Sequence, residues 1–101
     1  MALLHTVNKS PYQCTSLQSC LQHVRAGDTL LLIEDGVYAV LKGGKAAEAL
    51  SAANGVKVAA LSADLKARGI GAEKMIDGIE VVDYGGFVDL VEQTDKTQAW
   101  L

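Results

Sequence analysis

The sequence predicts a single α/β domain, a three-layer fold with a mainly parallel sheet and helices on both faces. Three observations carry this reading. Apolar runs of strand length alternate with segments whose apolar residues recur at helical spacing, the pattern of a parallel sheet with crossover helices. The run at residues 29–33 is continuously apolar apart from its first residue, as expected of a strand covered on both faces. The chain of 101 residues has no linker, internal repeat or low-complexity tract, which fits one domain spanning residues 1–101.

The elements follow in order. Residues 2–7, Ala-Leu-Leu-His-Thr-Val, read as a short buried strand with a polar exit at Asn8-Lys9-Ser10-Pro11. Thr15, with Gln18 three residues on, fits a capping box at a helix start, and Ser10-Pro11 is a competing start. Leu17, Cys20, Leu21 and Val24 recur at i, i+3, i+4 and i+7, the stripe of a helix facing a core, and Gly27 ends this helix. Residues 29–33 form the second strand, broken by Glu34-Asp35-Gly36. Residues 37–41 read as a short helical segment, Gly43-Gly44 interrupts it, and residues 45–53 form another helix before the turn signal Asn54-Gly55. Residues 56–61 are a third strand. Ser62 then caps a helix over residues 63–68, closed by Gly69. Asp77-Gly78 precedes a fourth strand at residues 79–82. Residues 83–93 form the last helix, with Phe87, Leu90 and Val91 turned inward, and the tail at residues 98–101 is placed as an edge strand.

Bulk properties bound the function. Half the residues are apolar, too many for a disordered chain, and for so small a domain this points to surface buried against a partner. The net charge is −3 with no cluster of Lys or Arg, so the electrostatic footprint of a nucleic-acid binder is missing and no direct nucleic-acid contact is expected. No stretch reaches the roughly 18 apolar residues that span a bilayer. Residues 1–10 lack the pattern of a signal peptide. A cytoplasmic protein without membrane contact is expected. Cys14 and Cys20 are then free thiols rather than a disulfide. Two cysteines with only His5 and His23 are poor material for a zinc site, and no cofactor is expected.

Sites in parallel sheets form at the carboxyl ends of the strands, which here carry His5-Thr6, Glu34-Asp35, Ser62 and Asp83-Tyr84. Cys20 is the first candidate for chemistry. A thiolate is a good nucleophile and can carry sulfur as a persulfide, given a helix N-terminus or cation to lower its pKa; its position on the apolar stripe equally fits a core residue. Cys14 lies nearer the helix start and reads as more exposed. His5 is placed at a site edge as a base or a polarising group, whereas His23 lies off the stripe and reads as solvated. Glu34 and Asp35 could bind a metal or serve acid/base work, against a plainer role in capping the next segment. Gly43-Gly44-Lys45 lacks phosphate-loop spacing. Trp100 either closes the domain's own core or marks an interface.

Five segments in order resemble the DsrH/TusB family of the DsrE/DsrF-like superfamily. They are Leu4-His5-Thr6-Val7-Asn8-Lys9-Ser10-Pro11, Leu31-Leu32-Ile33-Glu34-Asp35-Gly36-Val37-Tyr38-Ala39, Asp64-Leu65-Lys66-Ala67-Arg68-Gly69, Val82-Asp83-Tyr84-Gly85-Gly86-Phe87-Val88-Asp89-Leu90 and Gln98-Ala99-Trp100. The resemblance implies a five-stranded α/β fold. It implies assembly with DsrE/TusD-like and DsrF/TusC-like subunits into a heterohexamer with two copies of each. It also implies transfer of sulfane sulfur as cysteine persulfide towards a DsrC/TusE-like acceptor. DsrH-type members carry a cysteine in a Leu-x-x-Cys-Leu context, matched here by Leu17-Gln18-Ser19-Cys20-Leu21, so Cys20 is the implied persulfide carrier, with His5, Glu34 and Asp35 shaping the pocket. The cysteine tilts the resemblance to the DsrH branch, tied to sulfur oxidation; the TusB branch serves 2-thiolation of the tRNA wobble uridine. The family also offers a non-catalytic alternative: a scaffold subunit of the same hexamer, with the sulfur-accepting cysteine on the DsrE/TusD-like sister.

Overall fold

The structure, a computed structural model, describes residues 2–100. Five strands form one parallel sheet: β1 (Leu3–Val7), β2 (Thr29–Leu32), β3 (Lys57–Leu61), β4 (Ile79–Val82) and β5 (Lys96–Trp100), in the order β4-β3-β2-β1-β5. Four α-helices connect them: α1 (Ser16–Leu21), α2 (Lys45–Ser51), α3 (Ser62–Ala67) and α4 (Tyr84–Gln93). The first three crossovers step along the sheet in one direction, and the last returns from β4 at one edge to β5 at the other. Parallel crossovers are right-handed, so a reversal of direction moves the connecting helix to the opposite face.

The core obeys that rule. On one face Leu17 and Cys20 of α1, Ala46 and Leu50 of α2 and Leu65 of α3 pack against Val7, Leu30, Leu32, Val58 and Ala60. On the other face α4, the one described helix there, covers Leu4, Leu31, Ala59, Leu61 and Val82 through Phe87 and Leu90, with Ile33 at the margin. The central strand β2 is buried along its whole length, which accounts for its unbroken apolar run. Each fully buried leucine contributes about 2 kcal/mol from water exclusion.

Several expected boundaries move. The helical segment after β2 is a 3₁₀ turn that starts at Glu34 and runs to Val40, three residues earlier than residues 37–41. Gly36 permits this, because a Cβ there would strike the Val7 carbonyl. Ser62 is the first residue of α3 rather than its cap, and Thr15 precedes α1 without a side-chain capping bond. Asp83 is the true cap of α4, its Oδ1 accepting from the Gly86 N–H at 2.7 Å. Val91, expected inward, is 43% exposed. Strand β5 begins at Lys96 rather than at residue 98, and its expected last residue, 101, lies outside the described residues. A short 3₁₀ turn, Ala72–Lys74, and an antiparallel bridge between Leu41 and Met75 had no sequence signal. No described helix is long and apolar enough to cross a membrane.

Candidate functional site

His5 does not sit at the carboxyl end of β1. It lies in mid-strand, 2% exposed, facing a cavity of about 490 Å³ at the β1–β5 edge, towards the amino ends of the strands. Asp28, placed just before β2 by the turn at Gly27 (φ 95°), faces it, with Asp28 Oδ2 2.9 Å from His5 Nε2. Trp100 Nε1 donates to His5 Nδ1 at 3.1 Å. Indole nitrogen can only donate, so Nδ1 must accept and the imidazole proton resides on Nε2, pointing at Asp28. Asp28 also accepts the backbone N–H of Leu3 at 3.0 Å and of Arg25 at 3.1 Å. Burial by itself would raise the Asp28 carboxyl, but the N–H groups of Leu3, His5 and Arg25 outweigh it and hold the pKa below its ordinary value. One carboxylate thus ties together the start of β1, the entry to β2 and, through His5 and Trp100, the end of β5.

The rest of the cavity is an aromatic and basic rim. The His23 ring lies 5.2 Å from the Trp100 ring and its Nδ1 is 2.8 Å from the Ser19 carbonyl; Arg25 and Gln98 complete the wall. Asp28 and Arg25 had no motif in the sequence. The only hint was an acid directly before a buried strand, where an unpaired charge would be costly.

Cys20 is wholly buried within the helix-covered core. Helix α1 ends at Leu21, so Cys20 is its penultimate residue. The carbonyl end of a helix opposes a thiolate rather than favouring it. Burial, and then the nearby Asp28 charge, push the thiol up to about 12.

Cys14 is exposed in the loop between β1 and α1, at the mouth of a groove of about 550 Å³ between α1 and α2, beside Tyr12, Leu17, Leu21 and Lys45. Glu34 and Asp35 lie at the carboxyl end of β2, and neither lines the His5 cavity. Asp35 Oδ1 accepts from Arg68 Nε and Nη2 at 3.0 and 2.8 Å, which fastens the end of α3 to the 3₁₀ turn. Glu34 holds a left-handed backbone (φ 50°), with its N–H donated to Asp64 Oδ2 at 2.8 Å. The structure therefore groups His5 with Trp100, buries Cys20 in the core, and keeps Glu34 and Asp35 away from both, Asp35 in an ion pair with Arg68 and Glu34 bonded through its backbone to Asp64.

The sheet order and the single helix on the far face define a small parallel α/β protein. Comparisons with known proteins give the same class. The crystal structure of the ychN protein from E. coli superposes with a TM-score of 0.79 at 25% identity, covering 98% of each chain. The MTH1491 structure from Methanobacterium thermoautotrophicum, at 19% identity and a TM-score of 0.73 over 96% of each chain, shares the fold. A family model described as DsrH like protein matches residues 9–97. Protein TusB of Sodalis glossinidius (strain morsitans) is 40% identical over 98 residues, covering 97% of this chain and 100% of the relative. Protein TusB of Escherichia coli (strain K12 / DH10B) is 39% identical with the same coverage. The chain belongs to the DsrH family.

Proposed function

We propose that this chain is a subunit of a sulfur-relay complex serving tRNA wobble-uridine 2-thiolation, and that it acts as a structural rather than a sulfur-carrying member. The relatives named TusB, similar over nearly the whole chain, support the tRNA route over sulfur oxidation. The burial of Cys20 carries the structural role: a thiol with no exposed surface and a pKa near 12 offers sulfur neither access nor a nucleophile. In this reading the complex is a heterohexamer with DsrE/TusD-like and DsrF/TusC-like subunits. The DsrE/TusD-like sister holds sulfane sulfur as persulfide and passes it to a DsrC/TusE-like acceptor. The acidic chain does not grip the tRNA itself.

Intact mass after brief polysulfide treatment tests this on wild type, Cys20→Ser and Cys14→Ser, alone and with the sister subunits. The expected result is no added sulfur on Cys20 in any assembly and a persulfide on the DsrE/TusD-like chain. An adduct one sulfur atom heavier, absent only from Cys20→Ser, would make Cys20 a carrier and overturn the structural reading.

A further inference from the structure

Among the described residues helix α4 is the one helix on its face of the sheet, and part of its apolar surface is left exposed. Phe87 and Leu90 point into the core, whereas Tyr84, Val88 and Val91, at i, i+4 and i+7, are 64%, 55% and 43% exposed. At 100° per residue the three form one stripe about a quarter turn from the buried side. A helix that needed only to cover the sheet would carry polar residues there.

The charge of the segment that carries the stripe is one-sided. Between Lys74 and Lys96 the chain has six acids, Asp77, Glu80, Asp83, Asp89, Glu92 and Asp95, and no Lys or Arg. The remainder carries all nine Lys and Arg against six acids, so it is net positive although the whole chain is −3. Glu80 is neutralised by Lys57 at 2.8 Å. Asp89 and Glu92, on the helix beside the stripe, have no cation partner among the described residues.

We infer that the Tyr84–Val88–Val91 stripe is the seat of a different subunit of the complex, one whose docking surface is apolar at its centre and rimmed by Lys or Arg. A second copy of this chain is a poor occupant. Two such faces meeting across a two-fold axis would bring the Asp89 and Glu92 carboxylates of both copies together, and like charges facing one another across an interface oppose docking. An apolar centre with a complementary charged rim is the common anatomy of a specific interface, with an aromatic anchor such as Tyr84. The inference rests on the sulfur-relay reading and names the face of this chain which that complex covers.

The test co-expresses the chain with its sister subunits and reads subunit stoichiometry by native mass spectrometry, for wild type, Val88→Asp, the double variant Asp89→Lys/Glu92→Lys, and Lys66→Glu on α3 as a charge change on the opposite face. Circular dichroism on each isolated chain separates loss of docking from loss of fold. The expected result is about a tenfold or greater loss of complex for the two α4 variants, which retain a wild-type melting curve, and normal assembly for Lys66→Glu. Assembly undisturbed by Val88→Asp overturns the inference and leaves the sulfur-relay reading standing. A wild-type chain that never joins the sisters overturns that reading and this inference with it. Self-association of the isolated chain that Val88→Asp abolishes would put a second copy on the face and overturn the inference alone.

Discussion

Asp28 determines the character of the His5 corner. Its carboxylate accepts three hydrogen bonds, two from β1 and one from the turn before β2, and has almost no contact with water. Asn in its place keeps one acceptor and turns an N–H₂ towards donors, so Asp28→Asn should lower stability at pH 7 by about 2–4 kcal/mol in urea unfolding. The pH dependence has a definite sign. The folded pKa lies below the ordinary 3.8, so the stabilisation is fully present above about pH 4 and is lost as pH falls through the lower folded value. The gap between wild type and Asp28→Asn should therefore be constant from about pH 5 to 7 and narrow below pH 4. Little of this corner was legible in the sequence. His5 stood out as a histidine expected at the end of the first strand, and Trp100 as a tryptophan that must pack on something, but 95 residues separate the two and only the pairing of β5 with β1 brings them together. Cys20 was legible as a stripe residue. What the sequence withheld was the length of α1, which places Cys20 at the helix end that opposes ionisation.

At the scale of elements, strands were easier to read than the segments between them. The buried run of β2 and the short apolar runs of β1 and β3 declare themselves because both faces are covered. The 3₁₀ turn at Glu34–Val40 was legible only in part. Its start depends on a close approach of Gly36 to the Val7 carbonyl, a contact between segments far apart in sequence. Any side chain at Gly36 must push β1 and the turn apart. Gly36→Ala should cost about 2 kcal/mol or more by thermal or denaturant unfolding, with the loss concentrated in amide protection of β1 and the turn. Val91 was misread for a related reason. Its spacing from Leu90 and Phe87 suits a wide apolar face, but a single helix lying on a flat sheet can bury only one side, and Val91 falls on the flank with Val88.

At the scale of the whole molecule, strand order was the main unknown. Alternating strands and helices dictate a parallel sheet, but they do not say at which edge the last strand joins. The return of β5 to the β1 edge puts α4 alone on one face and closes the His5 corner with Trp100. That asymmetry gives the molecule one well-filled side, which holds Cys20 shut, and one thinly covered side with an apolar, acidic flank. Both features suit a subunit that shapes a complex rather than one that handles sulfur. The most direct test is the rate of sulfur transfer to the DsrC/TusE-like acceptor by the reconstituted complex, comparing wild type with Cys20→Ala, Cys14→Ala and the double variant. The account predicts a rate within about twofold of wild type for Cys20→Ala, since that buried thiol does not lie on the route, and the Cys14 variants read the exposed thiol separately. A loss of about a hundredfold in Cys20→Ala, in a complex of intact stoichiometry with its sister cysteine still accepting sulfur, would contradict it.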